Sequence, residues 1–241
     1  MPLRRIAAPA VAVGAAALAM LALAFPLASG HANVDARPLP APALDEAPAG
    51  SGLQTAVFAG GCFWGVQGVF EHVKGVTQAL SGYTGGHVAN PSYEQVSSGT
   101  TGHAESVRVT FNPAVVSYGT LLQIFFSVAL DPTQVDQQGP DRGTQYRSEL
   151  FVTTPEQAKV ARAYLAQLAA AHAFNRPIAT RIDAAGPFYP AEAYHQDYLT
   201  LHPDAMYIAM FDIPKVQALQ AEFPQYWQAT AVTVEKRMSG S

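Results

Sequence analysis

Residues 55–73 have the sequence TAVFAGGCFWGVQGVFEHV, and this stretch predicts a buried strand that turns sharply into a helix. Residues 55–59 are apolar and partly β-branched, as in a buried strand. Gly60 and Gly61 then allow a turn with positive φ. The apolar positions 66, 69, 70 and 73 repeat with the spacing of a helix that packs one face on a core. Cys62 is therefore predicted at the start of this helix.

Cys62 is the only cysteine in the 241 residues. A free cysteine is usually a small buried hydrophobic residue. Here two glycines and two large aromatic residues flank it at a strand-to-helix turn. Unpaired amide groups and the helix dipole at such a position favour a thiolate, which is the reactive form. We interpret Cys62 as a nucleophile.

The N-terminal sequence is typical of an exported protein. Arg4 and Arg5 precede an apolar run over 6–27, and small residues follow at 28–32. We assign residues 1–30 to a signal peptide, with an uncleaved anchor as the alternative. Residues 31–52, rich in Pro, Ala and Gly, are predicted to be a flexible spacer, and residues 53–241 to be one domain. The protein is then periplasmic, or membrane-anchored and facing the periplasm.

The composition argues against a partner, such as nucleic acid or an anionic membrane, that binds through a broad charged surface. The formal net charge is −4, the isoelectric point is about 5.9, and 13% of the residues are charged. No basic stripe for nucleic acid or anionic lipid is present. One cysteine and seven scattered histidines have no spacing of zinc ligands, so we expect no metal.

The order of predicted elements indicates an α+β fold. Strands are predicted at 55–59, 76–83, 105–111, 150–153 and 178–182, with helices after Cys62, over 117–129 and over 154–172. This order predicts a two-layer sandwich with a ferredoxin-like core and a mixed or antiparallel sheet. Residues 87–102 and 131–145 read as loops, and the segment beyond 186 as a long irregular C-terminal region.

Six motifs carry a family resemblance. They are GCFWG at 61–65, GYTGG at 82–86, NP at 90–91 with Tyr93, GHAE at 102–105, QGPD at 138–141 with GTQYRS at 143–148, and FYPAEAYHQDY at 188–198. With these motifs in the family's order between residues 53 and 212, the chain resembles peptide methionine sulfoxide reductases of the A type. The resemblance implies reduction of methionine-S-sulfoxide, free or in oxidised proteins.

The resemblance also implies catalytic roles. Cys62 attacks the electrophilic sulfoxide sulfur and becomes a sulfenic acid. Glu105 protonates the sulfoxide oxygen, which requires an apolar site that raises its pKa. Tyr93 and Tyr146 donate hydrogen bonds to that oxygen, and Asp141 orients the site.

Five aromatic residues are the expected substrate contacts. By the same resemblance, Phe63 and Trp64 hold the terminal methyl group of the substrate. Tyr189, Tyr194 and Tyr198, in the sixth motif, are expected to line the same site.

Regeneration is expected to need an outside thiol. Many members of the family carry a recycling cysteine, in one arrangement at the place of Ser97, and this sequence has no second cysteine. We therefore expect no bound cofactor, a thioredoxin-like protein or a small thiol as reductant, and a monomer.

Two other function classes stay open. One is a cysteine hydrolase or acyltransferase with His103 or His195 as base, and the other is a non-catalytic module that binds methionine-containing peptides.

Overall fold

The computed structural model of the protein describes residues 38–47 and 52–234. The strands are β1 (Gln54–Gly60), β2 (Val76–Thr84), β3 (Ala104–Phe111), β4 (Gln137–Gln138), β5 (Asp141–Arg142), β6 (Ser148–Val152), β7 (Arg181–Ala184) and β8 (Tyr189–Pro190). The α-helices are α1 (Phe63–Glu71), α2 (Tyr93–Ser97), α3 (Tyr118–Ile124), α4 (Pro155–Ala170), α5 (Tyr198–Leu201) and α6 (Ile213–Glu222). Short π-helical segments, Phe125–Ala129 and Ile208–Asp212, continue α3 and precede α6, and 3-10 turns lie at Thr144–Tyr146 and Ala193–His195.

A six-stranded mixed sheet lies at the centre of the fold, in the order β7-β6-β1-β3-β2-β8. Every neighbouring pair is antiparallel except β6 and β7, which are parallel. Along the chain, the core elements follow one another as β1-α1-β2-β3-α3-β6. Across the sheet, the four strands of this core lie in the order β6-β1-β3-β2. Together these two orders define the ferredoxin-like arrangement. The predicted fold class is confirmed, and β7 and β8 extend the sheet at its edges.

The alternation of side chains along β1 gives the sheet two different faces. Phe58 points to the helices, where its ring lies 4.7 Å from that of Phe70. Val57 points to the other face and packs with Phe151 in a small cluster that the ring of Phe188 covers. The main core is therefore between the sheet and the helices, as the sequence pattern predicts.

A short helix occupies part of the predicted loop 87–102. Ser92 caps α2, since its side chain accepts a hydrogen bond from the backbone N–H of Gln95, and the Gln95 side chain bonds back to the backbone of Ser92. This reciprocal pair is a capping box. The Ser-x-x-Gln spacing was the available sequence signal, and it places Tyr93 in the first turn of α2.

Part of the predicted flexible spacer is packed on the domain. Leu39 is 4% exposed, and its backbone N–H donates to the hydroxyl of Ser127. Asp45 accepts a hydrogen bond from the backbone N–H of Gly119, and Gln167 bonds to Ala41 and Ala43. Residues 38–47 pack in this way because α3 and α4 offer them both an apolar site and hydrogen-bond partners.

The described residues do not include the predicted signal peptide over 1–30. Of the rest of the predicted spacer, they include Gly52 alone. Within the described ranges no helix has the length and hydropathy to cross a bilayer.

Gly65 allows a close contact between α1 and the start of α6. A Cβ atom at this position would lie 2.1 Å from Oδ1 of Asp212 and 2.8 Å from Nζ of Lys215. The last glycine of the GCFWG motif is therefore needed for packing against a segment almost 150 residues further along the chain.

We expect Gly65→Ala to lower the free energy of unfolding by about 1–3 kcal/mol, because the added methyl group overpacks the contact with Asp212. The gain in helix propensity, about 1 kcal/mol, opposes this loss without cancelling it. Urea denaturation measures the change, with Gly186→Ala as the matched control because a Cβ there meets no atom within 4 Å. Equal stability of the two variants would contradict the contact.

Candidate active site

Cys62 lies at the junction of β1 and α1. The preceding Gly61 has a φ of 89°, and a Cβ atom there would lie 2.4 Å from Cβ of Gln138. Glycine alone fits a turn with both constraints. Cys62 is the N-cap residue of α1 and is 9% exposed. The nucleophile predicted from the sequence is thus at a helix start but nearly enclosed by protein.

Glu105 reaches the first turn of α1 from the neighbouring part of the sheet. Its Oε2 accepts a 3.0 Å hydrogen bond from the backbone N–H of Phe63, the residue that follows Cys62. Glu105 is 2% exposed. Burial raises the pKa of Glu105 to about 8, against the opposing effect of the Phe63 amide. The carboxyl group is therefore mostly protonated at neutral pH, as the predicted proton donor must be.

The Cys62 thiol differs from the expectation of a stabilised thiolate. Burial raises the pKa of Cys62 well above its ordinary value, and the charges of Glu105 and Asp212 act in the same direction. The backbone amide of Trp64 lowers it, as a helix start should. Desolvation outweighs this one favourable contact, because a buried anion loses its hydration. The protein without substrate therefore holds Cys62 as a thiol.

Tyr93 and Tyr146 reach the same space from α2 and from the 3-10 turn before β6. Both are half-buried, and both interact electrostatically with Glu105 and Cys62. Burial raises the pKa of each phenol, so both remain O–H donors at neutral pH. Glu192 fixes the start of α2, because its Oε1 accepts a 2.9 Å hydrogen bond from the backbone N–H of Tyr93.

Trp64 is the centre of an aromatic group beside Cys62. Its ring stacks on Tyr198 at a centroid distance of 4.0 Å, and its Nε1–H donates a 3.2 Å hydrogen bond to Nδ1 of His195. The His195 ring lies 5.2 Å from Phe63 and 4.4 Å from Tyr93. The structure thus brings together Phe63, Trp64 and Tyr198 of the expected substrate contacts and adds His195 to them.

The other two expected substrate contacts, Tyr194 and Tyr189, lie at the rim of the aromatic group and at the edge of the sheet. Tyr194 is 58% exposed, with its ring 4.2 Å from that of His195, so it lies at the rim of the aromatic group. Tyr189 pairs with Tyr83 at the edge of the sheet, and its ring packs edge-on against His103. These contacts place Tyr189 at the edge of the sheet.

A cluster from the C-terminal region lies near Cys62 and was missed from the sequence. The hydroxyl group of Tyr207 donates a hydrogen bond to Asp141, and Lys215 donates a 3.0 Å bond to the buried Asp212. The sequence contains no local signal for this cluster, because the residues after 186 have no long periodic pattern. The interaction of Asp141 with Tyr207 agrees with an orienting role for Asp141.

Neither histidine suits the hydrolase alternative. His103 accepts a hydrogen bond at Nδ1 from the backbone N–H of Gly86, and its Nε2 lies 2.7 Å from the carbonyl oxygen of Val88. Both ring nitrogens of His103 are thus used by the backbone. Nδ1 of His195 accepts the hydrogen bond from Trp64, so the neutral ring carries its hydrogen on Nε2 and has no free lone pair to act as a base. Among the residues that the structure describes, no three His, Cys, Asp or Glu side chains group as metal ligands.

Comparison with known proteins identifies the family. The sequence model of the family described as peptide methionine sulfoxide reductase matches residues 54–227. The chain belongs to this family. The match covers every residue of the site described above, from Cys62 to Lys215. The protein is accordingly an oxidoreductase that reduces methionine sulfoxide.

Relatives and solved structures agree with this membership. A peptide methionine sulfoxide reductase of Mesorhizobium japonicum is 54% identical over 79% of this chain and 97% of its own length. One from Synechocystis is 48% identical over 77% of this chain and 88% of its own length. The solved methionine sulfoxide reductase A of Corynebacterium diphtheriae is 32% identical, covers 70% of this chain and 84% of its own, and superposes with a TM-score of 0.55. The crystal structure of reduced Mxr1 from Saccharomyces cerevisiae is 32% identical, covers 68% of this chain and 92% of its own, and superposes with a TM-score of 0.53.

The raised pKa of Glu105 gives the reductase a pH-dependent stability that Glu105→Gln should remove. Between about pH 4.3, where an ordinary glutamate ionises, and about 8, the folded protein keeps a proton that the unfolded chain has released. The stability of the wild type therefore falls with rising pH across this window. Relative to the wild type, Glu105→Gln should gain a few kcal/mol as the pH rises through the window and no more above it.

Urea denaturation of both proteins at about pH 5, 7 and 9 measures this difference. The glutamine can still accept the hydrogen bond from Phe63, so the comparison isolates the titration. A stability difference that does not change with pH would show that Glu105 ionises normally.

Proposed function

We propose that Cys62 attacks the sulfur of methionine-S-sulfoxide while Glu105 delivers a proton to the sulfoxide oxygen. The observation that supports this proposal is the buried carboxyl group of Glu105, hydrogen-bonded one residue from Cys62 and protonated at neutral pH. A sulfoxide oxygen is a poor leaving group until it is protonated. Cys62 at the start of α1 and Glu105 on β3, whose carboxyl group reaches the first turn of α1, meet both requirements.

The atoms and electrons of this step balance within the site. Attack forms a bond between the Cys62 sulfur and the substrate sulfur, which carries the protonated oxygen as a hydroxyl group. This hydroxyl group then moves to the Cys62 sulfur as the sulfur–sulfur bond and the sulfur–oxygen bond of the substrate break. The Cys62 sulfur thereby loses two electrons to the substrate sulfur and becomes a sulfenic acid. The proton that Glu105 gives up is replaced by the one that leaves the Cys62 thiol. The products are a methionine side chain and Cys62 sulfenic acid, with Glu105 again protonated.

The phenol groups of Tyr93 and Tyr146 stabilise the negative charge that grows on the oxygen during attack. Both hydroxyl groups keep their protons because burial raises their pKa. Donors that are already in place require no reorganisation in the transition state.

The aromatic group holds the methyl end of the substrate. The hydrogen bond to His195 and the stacking on Tyr198 fix the plane of the Trp64 indole. With Phe63, this ring forms a rigid apolar wall beside Cys62. Such a wall suits the terminal methyl group of methionine sulfoxide and leaves its polar oxygen for Glu105 and the tyrosines.

The reductant is an external thiol, either a thioredoxin-like protein or a small thiol. The sequence contains one cysteine, so Cys62 has no partner within this chain for a disulfide. Ser97, which stands where a recycling cysteine occurs in other members, lies in α2, and its carbonyl oxygen accepts a hydrogen bond from Gln145.

We also propose an exported location, on the basis of the signal-like sequence over 1–30. Oxidised proteins of the periplasm are then the substrates, and the protein acts as a monomer.

A single-turnover experiment tests the role of Cys62. Without added thiol, the reduced wild type should convert one equivalent of methionine-S-sulfoxide to methionine and lose its one titratable thiol. Cys62→Ser should form no methionine, because its hydroxyl group is a far weaker nucleophile. Amino-acid analysis and thiol titration measure the two products.

Methionine formation with an unchanged thiol content would exclude Cys62 as the reductant. Turnover of an ester or amide without loss of the thiol would instead support the hydrolase.

Substitutions of Glu105 test proton delivery. Glu105→Gln can still donate a hydrogen bond, whereas Glu105→Ala cannot. We expect the chemical step to slow by about 10²–10⁴-fold in the alanine variant and by less in the glutamine variant. Rapid-quench measurement of methionine formation gives both rates, and equal rates would argue against a direct role for Glu105.

A further inference from the structure

A small cavity touches Cys62. Its volume is about 20 Å³, which is room for one water-sized group. Besides Cys62, its wall includes the side chains of Asp141, Tyr207 and Lys215, together with Phe211 and the loop 138–140. The acid Glu105 and the predicted oxyanion donors do not line it. The cavity therefore brings Asp141, Tyr207 and Lys215 close to Cys62.

Lys215 is the one cationic side chain in the wall of this cavity, and it is held by a buried ion pair. Its Nζ donates a 3.0 Å hydrogen bond to Oδ1 of Asp212, and the side chains are 10% and 0% exposed. Oδ2 of Asp212 is buried and has no hydrogen-bond partner among the described residues. A buried pair with an unsatisfied oxygen is a poor source of stability. Its position beside Cys62 points to a role in the reaction.

The second half of the reaction also requires a proton on the oxygen that leaves. When an external thiolate attacks the sulfur of Cys62 sulfenic acid, a sulfur–sulfur bond forms and the sulfur–oxygen bond breaks. Hydroxide is a poor leaving group unless it is protonated as it departs. Displacement at sulfur is collinear, so the departing oxygen lies opposite the incoming thiol. With the thiol in the place of the substrate sulfur, the oxygen points away from the aromatic group.

We propose that Lys215, positioned by Asp212, donates the proton that releases this oxygen as water into the cavity. The step is Cys62 sulfenic acid plus a thiol giving a mixed disulfide and water. The proton lost by the incoming thiol restores the ammonium group of Lys215. A second thiol then displaces the first and regenerates the Cys62 thiol. Tyr207 and Asp141 complete the wall that receives the water. This inference rests on the proposed function of Cys62.

Separate measurement of the two half-reactions tests the role of Lys215. The first is methionine formation in a single turnover without thiol. The second is the rate at which preformed Cys62 sulfenic acid reacts with dithiothreitol. Lys215→Met should leave the first rate within about twofold and slow the second by about 100-fold. Lys159→Met, at an exposed position on α4, is the matched control and should change neither rate.

Two further variants separate proton donation from packing. Asp212→Asn combined with Lys215→Met removes both charges, so no buried charge is left unpaired, and regeneration should stay slow. Lys215→Arg keeps the positive charge but does not release its proton, and it too should stay slow. Regeneration at the wild-type rate in either variant would overturn the proposal, as would equal slowing of both half-reactions by Lys215→Met. Failure of the wild type to form methionine would instead contradict the proposed function itself.

Discussion

The hydrogen bond from the backbone N–H of Phe63 to the carboxyl group of Glu105 connects the two halves of the site. It joins the first turn of α1 to the start of β3 across 3.0 Å. Because β3 is the central strand between β1 and β2, this contact fixes the position of a carboxyl group relative to Cys62 through rigid elements. Loops then need only bring donors and aromatic rings to this fixed pair.

Burial determines how the pair titrates. Both Cys62 and Glu105 are removed from water, and desolvation raises the pKa of each. The helix start favours the thiolate through the Trp64 amide, yet that contact is weaker than the loss of hydration. A substrate-free site with both groups protonated carries the proton that the sulfoxide oxygen must receive. It also keeps the cysteine less reactive towards other oxidants, since the thiolate is the reactive form.

The C-terminal region gives Cys62 a second polar neighbour. The π-helical segment before α6 brings Asp212 against Gly65, and Lys215 follows one helical turn later. The cavity on this side adjoins the aromatic group, because the ring of Tyr207 in its wall packs edge-on against Trp64 at 5.9 Å. A reductase with one cysteine must reduce its sulfenic acid with an outside thiol at the same sulfur atom. In the proposed mechanism, the cavity lined by Lys215 serves this second reaction.

Much of the protein was predictable from its sequence. The periodicity around Cys62 and along β3 predicted the core elements and the fold class, and spaced motifs identified the family and the candidate residues Cys62, Glu105, Tyr93 and Tyr146. These signals are local: they depend on neighbouring residues along one element. Only the tertiary structure decided the protonation of Cys62, the position of Tyr189 at the edge of the sheet, the packing of residues 38–47, and the partners His195 and Lys215. Each of these depends on burial or on contacts between residues far apart in the chain, which no local pattern records.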